Sequence, residues 1–190
     1  HHTDITRIAG QFGMHYNTVN GIMCNLAFHY LCKTISDIKN ILEFISRSLN
    51  VGGRFMFVVM DGKSIFKLIK NISTDQQWQS RENGVVKYAI KKKYTGVVFA
   101  ETGQTISVLL PFSDVMYDEP LCNVEVVIRE ARKLNLDVVM DNSFGAHFAQ
   151  FEKVNKKMFE ELTEEDKNYI SLFRYVILEK KTKGMIMTNI

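Results

Sequence analysis

The stretch Val19–Tyr30, which reads VNGIMCNLAFHY, decides the fold. Its middle is a run of mostly apolar residues without strict alternation. This pattern is typical of an interior strand in a parallel sheet that is covered on both faces. The polar residues Asn25, His29 and Tyr30 come at the end of the run. Because ligands in open α/β sheets bind outside the carboxyl ends of the strands, these three residues are predicted to line a binding site.

The residues that follow alternate between helix and strand patterns. An apolar stripe predicts a helix over Ser36–Leu49, with Ser36 at its start and Gly52–Gly53 as its stop. Arg54–Met60 then reads as a second buried strand, and residues 63–72 read as a second helix. Strand, helix, strand and helix in this order predict a parallel α/β unit.

The middle of the chain has a different pattern. Residues 74–84 are polar and predict a mobile loop, whereas residues 85–99 and 105–111 alternate like antiparallel hairpins. We therefore expect residues 74–122 to be an insertion that leaves the parallel sheet and forms the lid or wall of a pocket.

The last third returns to alternating elements. Helices are predicted over residues 123–134, 155–162 and 164–170, and strands over residues 137–144 and 172–178. A single domain over residues 1–181, followed by a short tail over 182–190, accounts for the whole pattern.

Composition excludes little. The 190 residues carry a net charge of +3 and 46% of them are hydrophobic, which is ordinary for one globular domain. No apolar run is long enough to cross a membrane, so no membrane partner is expected. The charge favours an anionic partner only weakly. The cysteines Cys24, Cys32 and Cys122 have no metal-binding spacing, so reduced thiols are expected and no metal site is predicted.

Two segments of the chain resemble the messenger-RNA cap guanine-N7 methyltransferase family. NLAFHY, residues 25–30, is similar to the family's QFxxHY, and LNVGGRFMFVVMDG, residues 49–62, is similar to its LKPGGxFxxTTPD. The continuation MDGKSIFKL resembles the poxvirus- and asfarvirus-type viral capping enzymes. The spacing stays consistent from Asp4 to Glu179, which is nearly the whole chain.

The resemblance implies a fold and a reaction. The fold is α/β, the C-terminal portion of a Rossmann-like class I S-adenosylmethionine-dependent methyltransferase, with a final antiparallel strand and an inserted antiparallel hairpin region. The implied reaction transfers a methyl group from S-adenosylmethionine to N7 of the cap guanine of GpppN-RNA. Because N7 has a free lone pair and no proton to lose, proximity and orientation are expected to supply the catalysis, without a catalytic acid, base or metal. A carboxylate near the purine would help, since the ring gains positive charge.

The resemblance also assigns residues to the two substrates. The residues expected to border the cap guanine are His29, Tyr30, Glu119, Leu26, Met60, Phe173 and Tyr175. The residues expected to bind the methyl donor are Asp4, Ile5, Asn25 and Tyr30. Within the first group, Glu119 is expected to accept hydrogen bonds from the N1 and N2 edge of guanine, as a carboxylate facing paired N–H groups does.

Alternatives remain open at several of these positions. Glu119 could be a turn carboxylate beside Pro120, His29 a structural histidine and Asp4 a solvated residue. The sequence also departs from the family at some of them. Asn25 stands for the family's Gln, Leu26 for its Phe, residues 58–60 for its Thr-Thr-Pro, and Phe173 for a cap-bordering Tyr. Tyr175, two residues on and on the same face of a strand, could take the place of that Tyr.

A run of three lysines precedes Tyr94. Lys91, Lys92 and Lys93 are candidates for contact with the triphosphate or the RNA backbone, because lysine clusters beside an aromatic residue suit single strands. The alternative is an ordinary solvated face of a hairpin.

The expected partners follow from the resemblance. They are the capped 5′ end of RNA, upstream triphosphatase and guanylyltransferase domains of the same polypeptide, and an activating subunit. The front of the family domain, with its Gly-rich loop, is expected to precede this chain, and the lone segment is expected not to be independently stable. The implied location is the cytoplasmic viral factory, with packaging in the virion as a second site. Two other functions stay open: a catalytically inactive, RNA-binding stimulatory subunit of a capping complex, and a small-molecule methyltransferase.

Overall fold

The computed structural model describes residues 16–111 and 113–182. Its first sheet has four strands, which are β1 (Val19–Asn25), β2 (Leu49–Met60), β7 (Leu136–Ser143) and β8 (Phe173–Lys180). They lie in the order β1-β2-β8-β7. Strand β1 runs parallel to β2, and β8 is antiparallel to both of its neighbours. The predicted antiparallel final strand is therefore confirmed.

One face of this sheet is covered by two helices. They are α1 (Ile35–Ser48) and α3 (Val124–Arg132), and together with Phe55 and Phe57 they form the first core. Helix α1 begins after Thr34, whose side chain and that of Asp37 cap each other's backbone N–H groups. The predicted start at Ser36 and the predicted glycine stop are wrong. The helix ends at Ser48, and both glycines lie within β2 because that strand begins directly after the helix.

The insertion forms a second, antiparallel sheet. Its strands are β3 (Gln77–Glu82), β4 (Val85–Lys92), β5 (Thr105–Leu109) and β6 (Met116–Pro120), in that order across the sheet. The prediction of antiparallel hairpins is confirmed, but the prediction of a loop over residues 74–84 is wrong. Strand β3 lies at the edge, where four of its six residues are polar or charged at half-exposed or exposed positions, so hydrophobicity gives little sign of it.

A second core lies under this sheet. The helices described outside the first core are α2 (Gly62–Leu68), α4 (Phe148–Val154), α5 (Lys156–Glu160) and α6 (Glu164–Ser171). Residues of α2, α6 and the inner face of the second sheet pack together there, with Tyr88 stacked on Tyr169 at 4.0 Å between ring centroids. Helix α4 was not predicted. Among the described helices, none is both long and apolar enough to span a membrane.

Strand β1 was predicted to be an interior strand that is covered on both faces, and this prediction is wrong for the described residues. It is the edge strand of the described sheet, and every residue in it is at least partly exposed. Met23, on the face opposite the first core, is 69% exposed. The apolar run correctly indicated a strand in a parallel pair. The run did not indicate that, within the described residues, helices cover one face of β1 and leave the other exposed. Most of the predicted tail, residues 183–190, lies outside them.

Candidate functional site

His29 and Tyr30 are held by a turn that follows β1. A single turn of 3₁₀ helix spans Phe28–Leu31, and Phe28 is fully buried with its ring stacked on Phe57 at 4.6 Å. Leu26, just before the turn, has a φ of 54° while its N–H donates to the carbonyl of Val58. A left-handed backbone is uncommon for a leucine and clusters at functional sites. This conformation of Leu26 turns the chain sharply away from the sheet. The buried ring of Phe28 then anchors the residues that follow.

Glu119 is brought to the same place by a close approach of the two sheets. It lies on β6, and the chain after β6 is joined to the start of α2, just beyond the end of β2, by a hydrogen bond from the N–H of Gly62 to the carbonyl of Cys122, at 2.9 Å. A Cβ on Gly62 would lie only 2.5 Å from that carbonyl oxygen. Gly62 is therefore needed for the contact that places β6 against the carboxyl end of the first sheet.

His29, Tyr30 and Glu119, which were all expected to border the cap guanine, lie close together. The hydroxyl of Tyr30 donates to Oε1 of Glu119 at 3.2 Å, and Nε2 of His29 lies 3.4 Å from Oε2 of the same carboxylate. The rings of His29 and Tyr30 contact each other, with 4.1 Å between their centroids. His29 is buried, and its Nε2 makes no hydrogen bond within the described residues. A buried ring nitrogen beside a carboxylate, with no hydrogen-bond partner, is a group that a ligand can satisfy.

Two further tyrosines lie close to Glu119. Partial burial raises the pKa of Tyr30, and the charge of Glu119 raises it further. Tyr117 makes a smaller contribution to the same increase. Burial and the charge of Glu119 raise the pKa of Tyr169 to about 12. Sequence reasoning missed both Tyr117 and Tyr169. Tyr117 stands two positions before Glu119, so recognising β6 as a strand would have placed it on the same face.

Other predicted site residues lie near this point. Asn25 is exposed at the carboxyl end of β1, and its side chain makes no hydrogen bond within residues 16–111 and 113–182. Leu26 is 49% exposed. Met60 is buried at the end of β2, where it pairs with Phe173. Asn25 and Met60 are the last residues of β1 and β2, and Leu26 follows β1 directly. The contacts of these residues with the two substrates stay predictions. Asp4 and Ile5 lie outside the described residues.

The two aromatic residues predicted on the last strand share one neighbour, Phe144, but differ in their other contacts. Phe173 contacts Tyr169, with 5.5 Å between ring centroids, and belongs to the second core. Tyr175 instead hydrogen-bonds with Nε2 of His147 at 2.9 Å and lines an apolar cavity of about 430 Å³. That cavity shares no lining residue with the His29, Tyr30 and Glu119 cluster. Both rings also contact Phe144, with 6.0 and 6.2 Å between ring centroids. The role of Tyr175 in place of the cap-bordering Tyr stays a prediction.

The lysine run does not form one cationic surface. Lys92 is buried and donates to the backbone carbonyls of Lys70 and Ile72, at 3.4 and 3.0 Å. Lys91 projects from the opposite face of β4 because side chains alternate along a strand. Lys93 lies 3.6 Å from Asp75. The prediction that Lys92 contacts the triphosphate or the RNA backbone is wrong, because its ammonium group is already bonded inside the protein. For Lys91 and Lys93 that contact stays a prediction.

Metal ligation has no support in the described residues. They contain no group of three or more His, Cys, Asp or Glu side chains placed to hold a metal ion.

Comparison with known proteins gives relatives of one kind. The chain is 34% identical over 172 residues to the mRNA-capping enzyme of African swine fever virus strain Badajoz 1971 Vero-adapted, and equally similar to that of the isolate Tick/South Africa/Pretoriuskop Pr4/1996. Each match covers 89% of this chain. The chain spans 20% of the length of these relatives. No family model matches the chain.

Two solved structures that share this fold are methyltransferases. The CcbJ methyltransferase of Streptomyces caelestis superposes with a TM-score of 0.52, at 11% identity over 87% of this chain and 59% of that one. A methyltransferase of Listeria monocytogenes, described as S-adenosylmethionine-dependent, also gives 0.52, at 13% identity over 92% of this chain and 67% of that one. This chain is therefore a homologue of one segment of the viral mRNA-capping enzymes and has the class I S-adenosylmethionine-dependent methyltransferase fold.

Proposed function

We propose that this chain is part of an S-adenosylmethionine-dependent methyltransferase that methylates N7 of the guanine in the cap of GpppN-RNA. The observation that carries the proposal is the meeting of His29, Tyr30 and Glu119 at the carboxyl end of the first sheet, where the buried Nε2 of His29 has no hydrogen-bond partner among the described residues. Homology to a segment of the mRNA-capping enzymes of African swine fever virus supports the choice of substrate.

The donors and acceptors of this cluster suit the edge of guanine. Guanine presents an acceptor, O6, next to two donors, N1–H and N2–H. An imidazole with its proton on Nε2 can donate to O6, and the neighbouring carboxylate of Glu119 can accept from N1–H and N2–H. Nε2 and Oε2 lie 3.4 Å apart, close enough for the two groups to contact adjacent atoms of one base. The hydroxyl of Tyr30 holds the carboxylate from its other oxygen.

Methyl transfer to N7 requires mainly that the two reactants are held in the correct relative position. The lone pair of N7 attacks the methyl carbon and the bond from that carbon to sulfur breaks, so no proton has to move. Holding the two reactants in line lowers the barrier by roughly 7–11 kcal/mol at best. The purine becomes cationic in the transition state, and the negative charge of Glu119 near it stabilises that charge. His29 and Glu119 thus orient the base without acting as an acid or a base.

The methyl donor is proposed to lie against the end of β1. Asn25 presents there an amide that makes no side-chain hydrogen bond within residues 16–111 and 113–182, and Leu26 beside it takes a left-handed backbone conformation. Tyr30 borders this position as well as the guanine. Asp4 and Ile5 remain predictions for the adenine. The bound donor supplies an electrophilic sulfonium methyl group, and these residues hold it.

The wider setting is proposed from the relatives. Because the chain spans 20% of their length, it is proposed to be one portion of a longer capping polypeptide with triphosphatase and guanylyltransferase domains. An activating subunit, a cytoplasmic location at the viral factory and packaging in the virion complete the proposal.

The test uses the full-length polypeptide with labelled S-adenosylmethionine and two acceptors, GpppA-capped RNA and the same RNA with a 5′ triphosphate. Labelled 7-methylguanosine from the capped acceptor alone supports the proposal. Cap binding without methyl transfer, in the presence of bound donor, would indicate a stimulatory subunit instead. Transfer to small molecules with no preference for the cap would indicate a small-molecule methyltransferase.

A further inference from the structure

Tyr117 is an aromatic residue beside Glu119 to which the proposed function gives no role. In the register of the second sheet, Tyr117 is opposite Val108 and Glu119 is opposite Ile106. Directly opposed residues of an antiparallel pair lie on the same face of the sheet. Val108 and Ile106 are buried in the second core. Tyr117 and Glu119 therefore both project from the inner face of β6, on the side where His29 and Tyr30 meet Glu119.

Exposure increases along this edge from Glu119 toward the start of β6. The side chain of Glu119 is 12% exposed, whereas Tyr117 is 46% exposed. Tyr30, which bonds to Glu119, is 44% exposed. Its pKa is raised by burial, by Glu119 and, more weakly, by Tyr117, in agreement with the proximity of the two phenols. Two half-exposed tyrosines thus lie together on the open side of the cluster.

The ring of Tyr117 has no aromatic partner among the described residues. Within residues 16–111 and 113–182 it stacks on no other ring, and its hydroxyl makes no hydrogen bond. Most tyrosines close to the site are engaged: Tyr30 with Glu119 and His29, and Tyr169 with Tyr88 and Phe173. Proteins that bind single-stranded RNA use such free aromatic faces to stack unpaired bases.

We propose that Tyr117 is the stacking platform for the base of the first transcribed nucleotide, which the triphosphate joins to the cap guanine. The inference rests on the proposed function. With the guanine held against Glu119, the remainder of the acceptor leaves through the exposed side, where Tyr117 lies. A planar base is the part of RNA that a neutral phenol ring can bind there. Because every base has such a face, the contact should tolerate any first nucleotide.

The experiment compares two capped RNAs that differ at one position. One carries adenosine as the first transcribed nucleotide, and the other carries an abasic ribose at that position. The KM for each is measured in N7 methyl transfer by the full-length polypeptide, for the unmodified protein and for the variants Tyr117→Ala and Tyr117→Phe. Tyr16→Ala is the matched control, because Tyr16 is also exposed, at 67%, and contacts Arg47 on another part of the surface.

For the unmodified protein, the KM for the base-bearing RNA should be about tenfold lower than the KM for the abasic RNA, which corresponds to the free energy of one base-stacking contact. The variants Tyr117→Phe and Tyr16→Ala should show the same preference. Tyr117→Ala should lose this preference and leave the KM of the abasic RNA unchanged. A preference that persists in Tyr117→Ala would overturn the proposal, and so would an equal rise of both KM values, which would place Tyr117 against the guanine. Absence of methyl transfer by the unmodified protein would instead refute the proposed function.

Discussion

The hydroxyl of Tyr30 lies 3.2 Å from Oε1 of Glu119, although 89 positions separate the two residues in sequence. One residue follows the first strand and the other lies on the edge strand of the inserted sheet. The site therefore exists only because the insertion docks against the parallel sheet, and Glu119 is the residue that most directly tests its role.

Glu119→Ala should raise the KM for capped RNA far more than the KM for the methyl donor. The variant leaves guanine N1–H and N2–H without an acceptor. Since a hydrogen bond to a charged group contributes roughly 1.5–3 kcal/mol, the KM for capped RNA should rise roughly tenfold to hundredfold. Steady-state kinetics with each substrate varied in turn provide the check.

A cap that carries inosine in place of guanosine is the control for this variant, because inosine lacks the N2 amino group. The unmodified protein should prefer guanosine over inosine, and Glu119→Ala should not. Equal rises of both substrates' KM values in Glu119→Ala, or an intact preference for guanosine, would rule out Glu119 as the guanine reader.

Tyr30→Phe should have a smaller effect on the KM for capped RNA, and one that depends on Glu119. The phenylalanine ring keeps the contact with His29 but no longer holds the carboxylate. A double-mutant cycle with Glu119→Ala is the measurement. The hydroxyl should matter only while Glu119 is present. Additive losses would show that Tyr30 acts on the substrates independently of Glu119.

Asp166 should make stability depend on acid pH. Burial would raise its pKa, but hydrogen bonds from Lys87, Tyr88 and Thr163 outweigh this and lower the pKa of Asp166 to about 2. A carboxylate with a depressed folded-state pKa contributes stability above its unfolded pKa, and this is lost as the pH falls through the folded one. About 2 kcal/mol should therefore disappear between about pH 5 and about pH 2.

Urea unfolding of the polypeptide across this pH window, followed by hydrogen exchange in residues 85–92 and 164–171, measures the effect. Asp166→Asn should flatten the pH dependence. Asp75→Asn is the control, since that carboxylate is 64% exposed and its one ion pair in the described part of the chain is with Lys93, at 3.6 Å. An unchanged slope in Asp166→Asn would contradict the assignment.

Arg174 joins four elements of the fold, and its loss should be costly. Its guanidinium donates to both oxygens of Asp141 at 2.6 Å and to Glu125 at 3.0 Å, and it lies 3.5 Å from Asp61. Arg174→Met would leave the carboxylates of Asp141 and Asp61 without this cation, at a cost of roughly 3 kcal/mol in the free energy of unfolding.

Arg54→Met is the matched control for this variant, because Arg54 also pairs with a carboxylate across neighbouring strands but its side chain is 62% exposed. It should change the free energy of unfolding by less than about 1 kcal/mol. Urea titration of both variants decides the matter, and similar costs for the two would contradict a central role for Arg174.

The sequence predicted the elements whose patterns are strong. The apolar run of β2 and the stripe of α1 gave a parallel unit, and the resemblance gave the antiparallel last strand. The sequence-based prediction failed where the local residue pattern does not indicate the structure. Strand β3 is a mostly polar edge strand, and α1 begins at Ile35 because Thr34, just before it, forms a reciprocal cap with Asp37. The exposure of β1 depends on what covers the sheet, which a single strand's pattern does not contain.

The site was predicted through the resemblance more than through periodicity. His29, Tyr30 and Glu119 converge as expected, but spacing could not tell that Lys92 is buried or that Tyr175 lines another cavity. Both outcomes depend on the register and docking of the insertion and the last strand. Tyr117 escaped notice because β6, MYDEP, lacks a hydrophobic alternation that would mark it as a strand.

The most direct test of the central claim is methyl transfer to a cap that lacks the acceptor atom. The full-length polypeptide is given labelled S-adenosylmethionine with GpppA-capped RNA, and in parallel with the same RNA capped by 7-deazaguanosine, in which a carbon replaces N7. We predict label in the first RNA, recovered as 7-methylguanosine, and none in the second. Equal labelling of both RNAs would place the methyl group elsewhere and contradict the assignment of His29 and Glu119 to cap N7 methylation.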